Sequence, residues 1–172
     1  MAGERGLLRP LALALVAVDR LANWLIVGFL SVMVILVSAQ VALRYGLNSS
    51  IGFADELSRL CFVWSIFLAI PLGVRMGAHI GMELFTSRLP TYLSQHVLPR
   101  MMAALAAAMM VLVGWQSAVI AFDQWDELMA SMNASAAWFI VAVATSAFHS
   151  ALHLVWITLK GKPKHVEQVA TE

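Results

Sequence analysis

Cysteine and charge are both scarce in this chain of 172 residues, and each shortage excludes a class of protein. The single cysteine, Cys61, rules out an intramolecular disulfide and any site that needs several cysteine ligands. Charged residues make up 12 % of the sequence, whereas a soluble globular domain has about 25 %. The formal net charge of +1 provides no strong basic field, so we expect no binding of nucleic acid.

Hydrophobic residues are correspondingly abundant. They make up 61 % of the chain, compared with roughly 45–50 % in a soluble domain. A chain of this length could not bury so much apolar surface in a core of its own, so lipid must be the solvent for much of it. The composition therefore excludes a soluble enzyme, a secreted disulfide scaffold and a disordered protein.

Four stretches are long and apolar enough to cross a bilayer, which takes about 20 mostly apolar residues. They cover residues 21–43, 56–74, 100–122 and 134–159. We therefore predict an all-α integral membrane protein with a four-helix transmembrane domain over residues 21–159, preceded by segment 1–20 and followed by tail 160–172. Residues 7–19 are expected to form an interfacial helix or an extension of the first span, and a frayed tail is the alternative.

The positive residues predict the orientation of the chain in the membrane. Nine of the eleven lysines and arginines fall in the N-terminal segment, the loop between spans two and three, or the C-terminal tail: Arg5, Arg9, Arg20, Arg75, Arg88, Arg100, Lys160, Lys162 and Lys164. Arg44 and Arg59 lie near the opposite side. Because positive loops stay in the cytoplasm, both termini are predicted to be cytoplasmic.

Charged residues open the second span, and ionisable groups within a span are costly enough to be functional candidates. They are Asp55, Glu56 and Arg59. On a helix Arg59 lies one turn after both carboxylates and can pair with either. An arginine that extends to the interface, anchored by its neighbours, is the alternative interpretation.

A second polar cluster begins at Arg75, directly after the same span. Glycine recurs there at every fourth residue, at Gly73, Gly77 and Gly81. Such a face allows another helix to approach closely. His79 and Glu83 are four residues apart, but two ligands do not complete the coordination shell of a metal. We therefore predict an interfacial segment held by hydrogen bonds, and no metal site.

Two histidines, His149 and His153, lie one turn apart in the fourth span. A haem held between two helices needs facing histidines at matched depth, and the other three spans contain no partner for them. As a catalytic pair, His79 and Glu83 lack a nucleophile nearby in sequence. We expect no cofactor and no catalytic residue.

The order of these motifs resembles that of a known family. The pattern is an acid-x-x-Arg opening of the second span, three large apolar residues, and an Arg-x-Gly-Ala-His-Ile-x-x-acid run: Glu56, Arg59, Trp64, Phe67, Leu68, Arg75, Gly77, Ala78, His79, Ile80 and Glu83. In length, number of spans and motif order, the chain resembles the small membrane subunit (DctQ type) of tripartite ATP-independent periplasmic (TRAP) transporters. The additional Asp55 leaves open which carboxylate pairs with Arg59.

The resemblance implies a small permease subunit of the bacterial inner membrane and not an enzyme. Such a subunit would brace a large membrane subunit (DctM type), which carries the substrate and sodium sites, among membrane lipids. It would also help to dock a periplasmic substrate-binding protein (DctP type) during sodium-driven import of a dicarboxylate or other organic acid. Our structural or subunit-interface candidates are Asp55, Glu56, Arg59, Arg75, Gly77, His79 and Glu83.

The residues themselves agree with a bracing role. Secondary transporters build their sites from polar residues and broken helices near the membrane midplane, and these spans offer almost no polarity there. Spans three and four are rich in small residues, which suit close helix contact. In the loop after span three, Asp123, Asp126 and Glu127 have no charged partner nearby in sequence, so we predict that they help to dock the periplasmic protein. A merely solvated acidic loop is the alternative.

Three other classes compete with this interpretation. The nearest is the small membrane subunit of a different tripartite carboxylate transporter, which has a similar size and number of spans. A membrane subunit with b-type haem would need the paired histidines discussed above. An independent exporter would need a coupling carboxylate inside a span, and residues 21–43 contain none.

Overall fold

The computed structural model describes residues 3–75 and 97–160, and four helices make up most of this part. They are α1 (Gly3–Gly46), α2 (Ala54–Arg75), α3 (Leu98–Asp123) and α4 (Ala137–Lys160). Each of the four contains a stretch that is long and apolar enough to cross a membrane. The prediction of an all-α membrane protein with four spans is confirmed.

The first helix is much longer than a single predicted span. It runs without a break for 44 residues and includes the segment 7–19. Of the alternatives for that segment, the structure shows a helix continuous with the first span. The pair Asp19 and Arg20 interrupts the hydropathy but not the helix, because Asp19 finds buried polar partners on neighbouring helices.

A short turn reverses the chain between α1 and α2. Asn48 takes a positive φ of 49° there, a conformation that asparagine tolerates better than most residues. The backbone N–H groups of Leu47 and Ser49 both donate to the Leu43 carbonyl, at 3.0 and 3.1 Å. These bonds end the helix and bring α2 back alongside α1.

The helices pack as a chain of neighbours, α1 on α2, α2 on α4, and α4 on α3. In α4, 56 % of the apolar window is buried, whereas none of the corresponding window of α1 is. Large apolar side chains on α1 and α3 point outward, among them Trp24, Ile35, Leu105, Leu112 and Trp115. These two helices therefore present the apolar outer surface of the bundle to lipid or to another membrane protein.

Small residues bring α3 and α4 close together. Ala103 and Ala107 of α3 form a buried cluster with Leu154 of α4 and Val74 of α2. A Cβ atom added to Gly114 would lie 3.2 Å from the ring of Phe148. The close contact between α3 and α4 thus depends on small residues at these positions, as expected for helix packing within a membrane.

Candidate functional site

Polar groups concentrate at two places, one at each end of the bundle. The first includes the loop that joins α3 to α4, residues 124–136. This loop folds back on itself: the Met129 N–H donates to the Ala134 carbonyl at 2.9 Å, and the Ala136 N–H donates to the Glu127 carbonyl at 2.7 Å. The loop therefore has a defined conformation that its own backbone hydrogen bonds hold.

The carboxylate of Glu56 holds this loop to the start of α2. It accepts hydrogen bonds from the backbone N–H of Ala130 at 2.9 Å, and from the backbone N–H and hydroxyl of Ser131 at 2.8 and 2.6 Å. Bonds to an ionised acceptor are shorter and stronger than neutral ones. A carboxylate in the first turn also suits the positive end of the helix dipole. We call Glu56, Ala130 and Ser131 the loop clasp.

The expected pairing of Arg59 with a neighbouring carboxylate does not form. Glu56 is engaged by the loop, and the Oδ1 atom of Asp55 accepts a hydrogen bond of 3.0 Å from the side-chain amide of Gln40 on α1. Arg59 is exposed, and it makes no ion pair within residues 3–75 and 97–160. Its guanidinium is therefore available at the surface of the bundle, beside the loop clasp.

The three acidic docking candidates are all exposed. Asp123 is the last residue of α3, and Asp126 and Glu127 follow in the loop. None of these carboxylates accepts a hydrogen bond or forms an ion pair in the part of the chain that the structure describes. They lie in the loop that the clasp holds in place.

An aromatic chain supports the same end of the bundle. The ring of Trp138 on α4 lies 5.8 Å from that of Trp125 in the loop and 6.3 Å from that of Trp64 on α2, between ring centroids. Trp64 in turn lies 5.9 Å from Phe29 on α1. These tilted pairs connect the loop to three helices at distances typical of favourable ring contacts.

The second polar site lies at the opposite end and joins three helices. The Oδ1 atom of Asp19 on α1 lies 2.9 Å from Nε2 of His149 and 2.8 Å from Nε2 of His153, both on α4. Its other oxygen, Oδ2, accepts a hydrogen bond of 3.0 Å from Arg75, the last residue of α2. We call these four residues the terminal cluster.

Burial makes the terminal cluster unusual for a set of charged and titratable groups. Asp19 and His153 are each 1 % exposed, and His149 is 6 % exposed. A buried carboxylate is tolerated when it is paired and hydrogen-bonded, as Asp19 is by Arg75 and both imidazoles. The oxygen and two nitrogen atoms lie close enough together to hold a metal ion.

Sequence reasoning found the members of the terminal cluster but not their association. In the sequence, Asp19 falls in segment 1–20 outside the predicted spans, and the two histidines suggest only haem ligation. A usable signal was present, because the predicted topology places Asp19, Arg75 and the histidine pair on the same side of the membrane. Gly77, His79 and Glu83 lie outside the described residues.

The described part of the chain also bears on the haem alternative. Its two histidines, His149 and His153, lie on the same helix, one turn apart. A haem held between two helices would need one from each.

A family model described as "Tripartite ATP-independent periplasmic transporters, DctQ component" matches residues 33–160, which is most of the chain. The chain belongs to the DctQ family. The matched range includes the loop clasp, Arg59, Arg75 and the histidine pair, and Asp19 precedes it. For this DctQ-family subunit the resemblance found in the sequence is confirmed, and it favours TRAP transporters over the other tripartite carboxylate transporters.

Individual relatives agree with the family assignment. A TRAP transporter small permease protein of Haemophilus influenzae is 33 % identical over 75 residues, which cover 44 % of this chain and 47 % of that protein. The C4-dicarboxylate TRAP transporter small permease protein DctQ of Vibrio cholerae is 29 % identical over 97 residues, or 56 % of this chain and 42 % of that protein. The chain thus matches somewhat less than half the length of each relative.

Proposed function

We propose that this DctQ-family chain braces the large membrane subunit (DctM type) of a TRAP transporter in the bacterial inner membrane, with both of its termini in the cytoplasm. The observation that carries the proposal is the apolar outer face of the bundle. None of the apolar window of α1 is buried within the chain, and α3 presents residues such as Leu112 and Trp115 outward. A second membrane protein can pack against such faces.

The polar residues within the spans support bracing instead of transport by this subunit. The hydroxyls of Ser31, Ser65 and Thr145 each donate to the backbone carbonyl four residues earlier, at 2.7, 2.8 and 2.8 Å. The hydrogen of such a hydroxyl is satisfied within its own helix and is not available to a substrate. Secondary transporters instead gather polar groups and broken helices around their cargo.

The loop end is the proposed docking surface for the periplasmic substrate-binding protein (DctP type). The loop clasp and the aromatic chain hold loop 124–136 in a defined shape, and Asp123, Asp126 and Glu127 are exposed there. Exposed charges of one sign steer the association of a partner that carries the opposite sign. The proposed overall process is sodium-driven import of an organic acid, and the name of the Vibrio cholerae relative suggests a C4-dicarboxylate as the cargo.

The bracing role is tested by affinity purification of the tagged chain from detergent-solubilised membranes. We expect a large multi-span permease to co-purify with it. Purification of the chain alone, from membranes in which the permease is also present, would contradict the proposal.

The docking role is tested by changing the charge of the loop in steps. In proteoliposomes containing both membrane subunits, we compare Asp123→Asn, Asp126→Asn and Glu127→Gln together with the same three positions changed to lysine. Uptake at low salt should fall in the neutral variant and fall further in the reversed one, and high salt should reduce both differences by screening. Equal uptake by all three proteins at low salt would exclude the acidic loop as a docking surface.

A further inference from the structure

The terminal cluster is not accounted for by bracing or docking, and its donor atoms are those of a metal site. We propose that Asp19, His149 and His153 bind a divalent transition-metal ion, with Zn²⁺ the best match to the donors. The site would connect α1 to α4 at the end of the bundle opposite the loop clasp. This proposal is independent of the transporter role.

The geometry of the three donor atoms supports the proposal. Oδ1 of Asp19 and the two Nε2 atoms form a triangle with sides of 2.9, 2.8 and 3.3 Å. Zinc bonds of about 2.0–2.1 Å in a tetrahedral shell separate neighbouring donor atoms by about 3.3 Å. The triangle therefore has to open by only a few tenths of an ångström on two sides to bind the ion.

The number of hydrogen atoms available at the triangle supports the same conclusion. Oδ2 of Asp19 is paired with Arg75, which favours the ionised carboxylate. The two Nε2 atoms can then carry two hydrogens at most, one on each ring. Two hydrogens can serve the two sides that meet at Asp19, but they leave the third side, between the two Nε2 atoms 3.3 Å apart, without a hydrogen bond. A metal ion accepts all three electron pairs at once.

The chemistry of the donors narrows the choice of metal. Two imidazole nitrogens and one carboxylate suit zinc and its transition-metal neighbours. Calcium and magnesium prefer shells made of oxygen. His149 and His153 are four residues apart on one helix, the same spacing that places two zinc ligands on one face in helical metalloprotease motifs. Three protein ligands leave the fourth tetrahedral position for a water molecule.

The surroundings supply the other features of a metal site. Arg75 bonds the carboxylate oxygen that faces away from the histidines, and such second partners orient a ligand. The buried apolar cluster of Ala12, Leu15 and Trp156 joins the same two helices. Ser150, on the same face of α4 as the histidines, is fully buried, and its hydroxyl makes no hydrogen bond within the described ranges.

The test uses the full chain, purified in detergent with an affinity tag that contains no histidine and stripped of metal by a chelator. Co²⁺ is the probe, because in a tetrahedral nitrogen and oxygen shell it absorbs visible light through d–d transitions. We expect binding to saturate at about one Co²⁺ per chain, and the absorption to disappear when Zn²⁺ displaces Co²⁺. Titration in competition with a chromophoric chelator gives both affinities.

Variants assign the binding to the proposed ligands. His149→Gln and His153→Gln should each weaken Co²⁺ binding at least about tenfold. Loss of a residue that only supports a ligand already weakens metal binding by roughly tenfold to hundredfold, and loss of a ligand itself should cost no less. His165→Gln, which removes a histidine from the C-terminal tail, is the matched control and should bind as the unchanged chain does. Circular dichroism and gel filtration check that each variant remains a folded helical protein.

X-ray absorption at the zinc edge of the unchanged chain does not depend on the folding of any variant. We expect a first shell of nitrogen and oxygen together with the outer scattering of imidazole rings. If the stripped chain takes up no Co²⁺ or Zn²⁺ at micromolar concentrations, the proposal is wrong and the cluster is an ion pair supported by hydrogen bonds. Unchanged binding by the double variant His149→Gln and His153→Gln would overturn it as well.

Discussion

Replacing Leu154 with alanine tests whether α2, α3 and α4 are held together by packing in a lipid solvent. Leu154 is 1 % exposed and contacts a buried cluster from all three helices. In a water-soluble core such a change costs about 2–5 kcal/mol. About 2.4 kcal/mol of that cost is the transfer of three carbon atoms from water, at about 0.8 kcal/mol each.

In a membrane this transfer contribution is lost, because helices that separate remain in lipid. What remains is the loss of van der Waals contact around the cavity, so we expect a destabilisation of at most about 2.5 kcal/mol. The measurement is the free energy of unfolding in mixed micelles, followed by tryptophan fluorescence as a denaturing detergent is added.

Leu112→Ala on α3 makes the same chemical change at a position that is 64 % exposed. It should leave the free energy of unfolding unchanged to within about 0.5 kcal/mol, as surface changes usually do. A cost above about 4 kcal/mol for Leu154→Ala would mean that unfolding exposes this residue to water and not to lipid. A larger cost for Leu112→Ala than for Leu154→Ala would contradict the packing of the bundle.

Two further changes test the loop clasp and the close helix contact. Glu56→Gln should speed hydrogen exchange at the backbone amides of Ala130 and Ser131, because a neutral amide oxygen is a weaker acceptor than a carboxylate. Asp126→Asn is the control. Unchanged exchange in Glu56→Gln would show that the clasp does not order the loop. Gly114→Leu should lower the free energy of unfolding by about 1–3 kcal/mol through overpacking against Phe148. Gly28→Leu should cost little, since no atom lies within 4 Å of a Cβ there, and equal effects would contradict the packing of α3 on α4.

The four helices could be predicted from the sequence because hydropathy along the chain is a local property. The helix bounds differ from the predicted spans by a few residues for α2, α3 and α4. The beginning of α1 could not be located in the same way. Asp19 and Arg20 look like the end of an apolar segment, and only the partners of Asp19 on other helices explain why the helix continues through them.

The partners of the polar residues were harder to predict than the helices. The spacing allows Arg59 to pair with Asp55 or Glu56, but backbone N–H groups 74 and 75 residues later in the chain bind the Glu56 carboxylate instead. Spacing along one helix cannot reveal such a competitor. Asp19 and His153 are 134 residues apart, and their contact follows from the arrangement of helices and not from any local pattern.

The length of α1 has a consequence for its position in the bilayer. Its apolar stretch, Ala12–Gly46, contains 35 residues and is therefore about 52 Å long. A transmembrane helix tilts by up to about 40°, which still leaves about 40 Å along the membrane normal. The hydrocarbon layer is about 30 Å thick.

With Gly46 at one boundary of the hydrocarbon, at least two turns at the other end of this stretch must therefore lie beyond the opposite boundary. Those turns contain Ala12 and Leu15, which α4 covers with Trp156 instead of lipid. At the steepest tilt Asp19 lies at this boundary, and at smaller tilts it lies beyond it, so ions from the aqueous phase can reach this end of the helix without crossing the hydrocarbon.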